Sequence, residues 1–425
     1  YMGVGRFAMA IGEDLSWCLK TRDLKRIIQV YEDIKRFSYT QTNNKIYERM
    51  DMDMEDKFGL TLDQTEILYN IEYYKTFNDI KLGNQLLNKD VIKNLKTEWL
   101  EEWKSFISEG YASFLGIEGA EIHWYSKEEL QMKIEENQPQ KTWFRLVMLE
   151  AMLFEPYYSL GVEQNENGKT VESKKYKHLQ LPTFGYSKKK GDLYLDAHFT
   201  DKYYNKGYVS HLRNSYNKVT LELNEVLKGV LKAGVVSTGI AIVTVITAGA
   251  LSGPISIALV GSNFAGLSGA ALTSASLAYL GGGAIALGGF GMVGGTAVIV
   301  GGGALLGISA GVGVGGAVGV ASLKGKKYTV SQSAKLLVSV REIFLNDEKD
   351  IEFSNSVYEQ YLKNIIEIEN GLTELRLKAD VTQGKEKKEL KKKIKQAEES
   401  VEAMKIARKN LLKFKSSFEI GLKQS

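Results

Sequence analysis

The sequence predicts a mainly α-helical protein in three structural parts: a helical N-terminal domain, a glycine-rich membrane block forming several spans or hairpins, and a C-terminal antiparallel coiled-coil hairpin. Three observations predict it. Apolar residues recur at three- and four-residue spacing through much of the polar sequence. No Asp, Glu, Lys, Arg or His lies between Lys232 and Lys324. Past residue 355 a three–four repeat runs, breaks once at a polar turn, and resumes.

The divisions are 1–160, helical; 161–232, a mixed segment rich in Lys and Tyr; 233–323, the apolar block; and 324–425, helical with the hairpin at about 355–418. In the first region helices are expected over 23–37, 63–74, 89–107 and 141–154. Ser126-Lys127-Glu128-Glu129 has the form of a capping box and opens another. Trp99, Trp103, Trp124 and Trp143 read as aromatic anchors of a helical core. Between 161 and 232, residues 164–169 form a polar loop and Leu193-Tyr194-Leu195 reads as a short strand. Lysines grouped at 174–177 and 188–190, among Tyr176, Tyr186, Tyr194, Tyr203, Tyr204, Tyr208 and Tyr216, suit either a headgroup zone or a solvated loop.

The apolar block holds 24 of the 42 glycines in the chain. At about 1.5 Å per residue a single helix of this length would run to roughly 135 Å, against a hydrocarbon core near 30 Å, so three or four short segments fit better than two. Lys228 and Lys232 flank it on one side, and Lys324, Lys326 and Lys327 on the other. The positive-inside rule then places both ends on one side of the membrane and makes the number of spans even. Gly303, Gly307, Gly311, Gly315 and Gly319 recur at strict four-residue intervals. On a helix they form one face without side chains, where a second backbone can approach closely, the usual basis of helix packing in lipid. In water each of those glycines would cost a helix about 1 kcal/mol relative to Ala. So much glycine leaves the block only modestly apolar, which makes insertion conditional, following oligomerisation or a trigger.

The C-terminal repeat places Ile365, Ile368, Leu372 and Leu375 on one helix and Leu390, Ile394, Val401 and Met404 on the next, as the two sides of a seam. Residues 380–384 supply the reversal. The run 385–395 carries seven lysines and two glutamates, a solvated face at the hairpin tip or a contact for anionic lipid.

Other signals mainly exclude. Charged residues at 25% and aromatics at 10% are ordinary. A net charge of +4, without a basic stripe interleaved with aromatics, does not point to nucleic acid. The lone Cys18 allows no internal disulfide framework and fits a reducing compartment. The apolar run at 7–11 is too short for a signal peptide, and Glu13 and Asp14 follow it. Residues 289–294 match GxGxxG, but no acidic residue follows at the distance a ribose contact needs. Residues 307–311 match GxSxG, yet the last histidine, His211, precedes Ser309, which breaks the order of a hydrolase triad. Gly325-Lys326-Lys327 lacks the rest of a phosphate-binding loop. Asp196, His198, Asp201 and His211 fit no strong zinc spacing. No catalytic, cofactor-binding or metal residue is assigned, no cofactor is implied, and nothing here points to an enzyme.

The stretch Ser276-Leu277-Ala278-Tyr279-Leu280-Gly281-Gly282-Gly283, continuing to Met292-Val293-Gly294-Gly295, resembles a glycine-rich hydrophobic segment of bacterial membrane-associated proteins, some of them from phage-defence or inter-bacterial conflict systems. A glycine-rich apolar hairpin beside amphipathic helices is also similar, more loosely, to apolipoprotein L-like and α-helical pore-forming architectures. The resemblance implies a protein that inserts into the bacterial inner membrane, with its polar domains cytoplasmic, self-associates through glycine faces, and forms a pore or depolarises the membrane. The expected partners are the lipid bilayer, further copies of the chain, and a protein bound by the C-terminal hairpin. The alternative is a membrane-anchored, non-enzymatic scaffold recruiting partners through that hairpin. A third reading, a metal-dependent hydrolase using the His198 neighbourhood, comes after both.

Overall fold

Local chemistry sets where the helices begin. Thr61 and Gln64 exchange side chain-to-backbone hydrogen bonds at 3.1 and 3.3 Å, satisfying two amides that a helix start leaves free. That opens α1 (Leu62–Leu82). Ser126 and Glu129 close the expected capping box at the head of α3 (Lys127–Glu136), after α2 (Lys89–Leu115). The computed structural model describes residues 57–58, 60–82, 89–115, 121–158, 160, 162–164, 170–230 and 326–424. They lie within one compact unit, Asp56–Ser425, which is mainly α-helical. The expected helix at 23–37 and the apolar block, with Gly303, Gly307, Gly311, Gly315 and Gly319, lie outside the described residues. Among the described residues no helix is long and apolar enough to cross a membrane.

Next in the chain come α4 (Thr142–Leu153), buried along most of its length, and a two-stranded antiparallel ribbon of β1 (Val162–Gln164) and β2 (Thr170–Glu172), with Val162 opposite Glu172. An aromatic core joins α1, α2 and the chain after α4. Trp99 and Trp103 are fully buried and stack with centroids 6.1 Å apart, Trp99 Nε1 donates to Tyr158 O, and Trp124 packs half-buried against Trp103. Trp143 is buried on α4, so the tryptophans act as the anchors the sequence suggested.

Two expectations for 161–232 are corrected. Leu193-Tyr194-Leu195 is the last turn of α5 (Lys188–Leu195), not a strand. Ser187 Oγ accepts from Lys190 N to start that helix, and Asp192 and Leu195 then face inward beside Tyr194 in a 3.6-residue pattern. The tyrosines do not form a headgroup-facing or solvated set either. Tyr176, Tyr194, Tyr208 and Tyr216 are buried in the helical body, because their rings complete its core while their hydroxyls reach polar neighbours such as Glu102, Asp347 and Ser331.

Directly after α5 a wide π-helical turn (Asp196–Thr200) leads to α6 (Tyr208–Val230). The chain is described again from α7 (Lys326–Val338), which runs into a second π-helical stretch (Ser339–Asp347). Then follow α8 (Ile351–Val381), N-capped by Asp350, and α9 (Gly384–Gln424). The reversal between them is short, and Gly384 holds φ +67°, a left-handed conformation that glycine adopts without steric cost. Glu369 pairs with Lys405 at 2.6 Å and Arg376 with Glu398 at 2.7 Å, so α8 and α9 run antiparallel.

Candidate functional site

The residues that matter most for the apolar block are those that hold its two ends. α6 is the last described helix before it and α7 the first after it. On α6 the buried positions Val209, Leu212, Tyr216, Val219 and Leu223 follow helical spacing and turn one face inward. α7 is buried all round from Thr329 to Val338, although Thr329, Ser331, Gln332, Ser333 and Lys335 are polar. Such a helix needs partners for its polar side chains, and neighbouring helices supply several. Tyr216 Oη and Ser331 Oγ lie 3.0 Å apart, Ser333 Oγ and Tyr361 Oη 3.1 Å, and Lys335 Nζ reaches Glu150 on α4 at 2.7 Å.

These contacts also fix direction. Tyr216 meets Ser331, while the earlier residues Ser215 and His211 meet the later Glu342, at 2.6 and 3.1 Å. α6 is therefore antiparallel to the 326–347 segment, and Val230 and Lys326 point the same way. The two helices are a pair of stalks. Burial disfavours the Glu342 carboxylate, but hydrogen bonds from Ser215, His211 and Asn346, with Arg341 alongside, hold its pKa below the usual range.

The base of α6 is fixed by a carboxylate. Asp196, buried in the π-helical turn, accepts from Val209 N at 2.7 Å, Ser210 N at 3.2 Å and Ser210 Oγ at 2.7 Å, opposite the positive end of the helix dipole. Arg213 on the next turn makes two bonds to Asp192, at 2.9 and 3.0 Å, and a further one to the Met152 carbonyl.

Beneath the stalks lies a cluster of buried ionisable groups contributed largely by α1. Lys96 on α2 pairs with Asp79 at 2.7 Å, and Tyr157 Oη donates to the same carboxylate oxygen at 2.7 Å. Lys75 donates to the Ala151 and Phe154 carbonyls at the end of α4, where free carbonyls and the helix dipole favour a cation. Its ammonium also lies 5.2 Å from the centre of the Phe154 ring and 5.0 Å from that of Tyr186. Burial, with Arg213 nearby, pulls its pKa down to about 7. Glu72, one turn earlier, is fully buried, and among the described residues neither of its oxygens has a hydrogen-bond partner. Burial drives its pKa well up against the pull of Lys75, and Glu150 adds to the rise. Burial thus works against the charged forms of both Glu72 and Lys75 where α1 and α4 meet.

No family model, curated protein or solved structure matches this chain.

The residues singled out in the sequence are distributed as follows. Ile365, Ile368, Leu372 and Leu375 on α8, and Leu390, Ile394, Val401 and Met404 on α9, are all buried in the two antiparallel helices. The Asp196 neighbourhood is turned towards separate partners. Asp196 binds the start of α6, His198 stacks on Tyr194 with centroids 4.2 Å apart, Asp201 accepts from Gly207 N, and His211 faces Glu342. Among the described residues no group of three or more His, Cys, Asp or Glu is arranged to hold a metal ion. Sequence reasoning missed the buried charges of α1. Glu72, Lys75 and Asp79 fall on one stripe of that helix, and this interruption of its apolar face was the available signal.

Proposed function

We propose that this is a membrane-inserting, self-associating bacterial protein whose helical body holds both ends of a glycine-rich block and delivers it to the inner membrane. The observation that carries the reading is the charge-free stretch 233–323, bounded by two antiparallel stalk helices whose ends at Val230 and Lys326 lie on the same side. Ends held on one side of the body suit an even number of spans. The block then crosses as short glycine-rich segments, which associate through the face formed by Gly303, Gly307, Gly311, Gly315 and Gly319. The consequence of assembly is a pore or depolarisation, as phage-defence and toxin effectors produce. The polar domains stay cytoplasmic.

Membrane fractionation and dye release from liposomes test this. The intact chain should resist carbonate extraction and release a trapped dye. Gly311→Leu should lose release and cross-linked oligomers, because the leucine separates the helices, whereas Val312→Leu should keep both. Full recovery in the soluble fraction, without detergent, counts against insertion. Equal behaviour of the two variants with normal fractionation removes the glycine-face assembly.

One observation favours the second reading, an anchored scaffold. Ile366, Leu412 and Ile420 are large apolar side chains left exposed on α8 and α9. On that reading the coiled-coil hairpin packs a partner helix along them, and the chain releases no dye.

A further inference from the structure

The described contacts place a third feature on the side of the stalk ends. Ser333 on α7 meets Tyr361 on α8, and Phe344, further along the same segment, packs on Phe353 with centroids 4.6 Å apart. The 326–347 segment is therefore antiparallel to α8, and the α8–α9 turn points in the direction of Val230 and Lys326. With near-parallel axes and about 1.5 Å of rise per residue, Val381 stands roughly 20 Å beyond the level of Lys326, and Val230 roughly 13 Å beyond it. The hairpin tip thus reaches past the level at which the chain leaves α6 for the apolar block.

The chemistry of that tip is distinctive. Residues 376–395 contain nine basic and three acidic residues. Lys385, Lys388, Lys391, Lys392 and Lys395 are exposed, and beside them Leu377 and Val381 are 64% and 83% exposed. Leu377 and Val381 are one turn apart on α8 and share a face. Two bare apolar side chains on so lysine-rich a turn are unfavourable in water. They suit a boundary where acyl chains take the apolar groups and phosphates take the cations.

We infer that the α8–α9 tip is a docking surface for anionic phospholipid on the same membrane face that receives the apolar block. It rests on the membrane reading of that block. The body then stands on two supports, the stalk ends and the tip. Electrostatic attraction to the tip brings the block to the bilayer before any apolar segment enters, and its range is that of the ionic atmosphere, about 8 Å at physiological salt.

The test is co-sedimentation of the full chain with vesicles of phosphatidylglycerol and phosphatidylethanolamine, and with vesicles of phosphatidylcholine alone. The chain should bind the anionic vesicles at least tenfold more tightly, with the difference lost in 0.5 M salt. The variant K385Q/K388Q/K391Q/K392Q/K395Q alters only exposed side chains. It should lose that preference while keeping its helical circular dichroism and its binding to phosphatidylcholine. Leu377→Ser/Val381→Ser should weaken anionic binding severalfold with the salt dependence intact. If the unaltered chain binds neither vesicle, the membrane reading falls and this inference with it. If it binds both but the lysine variant keeps the anionic preference, only the tip inference falls. Tighter binding of the lysine patch to duplex DNA or RNA than to anionic vesicles also overturns it, in favour of a nucleic-acid surface.

Discussion

Replacing Lys335 with methionine isolates the tie between the second stalk and the body. Lys335 and Glu150 meet at 2.7 Å with side chains only 3% and 1% exposed. At an effective dielectric constant of about 20 the gross attraction is roughly 6 kcal/mol, much of it offset by the cost of desolvating both charges. Removing one partner is not symmetrical with removing both. Lys335→Met leaves the Glu150 carboxylate in the interior without this cation and still acting on Glu72, so destabilisation of about 3–5 kcal/mol is expected. In a unit of this size that lowers the melting temperature by about 5–10 °C.

The double variant Glu150→Leu/Lys335→Met removes both charges and should melt close to the unaltered chain or above it. Tryptophan fluorescence in mild detergent reports the transition through Trp99, Trp103 and Trp143. The same single variant, with α7 loosened, should release dye from liposomes faster. Melting of the single variant within 1 °C of the unaltered chain would refute the buried tie, as would a double variant no better than the single.

Other outcomes follow from the same geometry. The Lys75 ammonium titrates at about 7 when folded, below its ordinary 10.5, so the unfolded chain binds more protons between those values and this contribution to stability rises with pH, by at most about 1.4 kcal/mol per unit. Glu72, with its raised pKa, imposes the opposite slope over its own range. Melting curves at pH 7 and 9 should therefore compare Glu72→Gln with Glu72→Gln/Lys75→Met, and the upward slope should vanish only in the second. Asp196→Ala should cost about 2–3 kcal/mol by uncapping α6, with Asp196→Asn recovering part of it; equal urea midpoints for all three chains would remove the capping role. A methyl group at Gly191 would overlap the buried Tyr186 hydroxyl, so Gly191→Ala should destabilise by about 1–3 kcal/mol in a thermal melt. Ile365→Asp/Leu372→Asp should unfold the α8–α9 pair, read as a loss of helical ellipticity, whereas retention of both ellipticity and melting temperature would show that these side chains do not carry the packing.

What was legible in the sequence was local. The capping box at Ser126 and the reversal before Gly384 depend on residues within a turn or two of one another, and the structure places both as read, while the apolar rows of α8 and α9 are buried. α1 runs two turns past the expected 63–74, because Lys75 and Asp79 look like the onset of a polar segment until Ala151, Phe154 and Lys96 are placed around them. α7 hides its role for the same reason. A helix carrying Thr329, Ser331, Gln332, Ser333 and Lys335 reads as one with a wet face, and it becomes a central helix only when α6, α4 and α8 bring their own polar groups to meet it. Partners tens to hundreds of residues away leave no trace in the periodicity. The π-helical turns beside each stalk were equally silent, since one extra residue per turn does not disturb an apolar pattern so short.

The pairing of α6 with α7 has a consequence for chain connectivity. Two helices that find each other through Tyr216, Ser331, Ser215 and Glu342 close a loop, whatever lies between Val230 and Lys326. The entropy of closing a flexible loop grows only with the logarithm of its length, about 0.6 kcal/mol for each doubling. The body is therefore nearly indifferent to how long that intervening stretch is. Shortening it to a glycine–serine tether that spans the two stalk ends would slightly favour folding, and duplicating it would oppose folding only weakly. In such an arrangement the insert is free to gain or lose whole segments while the protein that carries it stays the same.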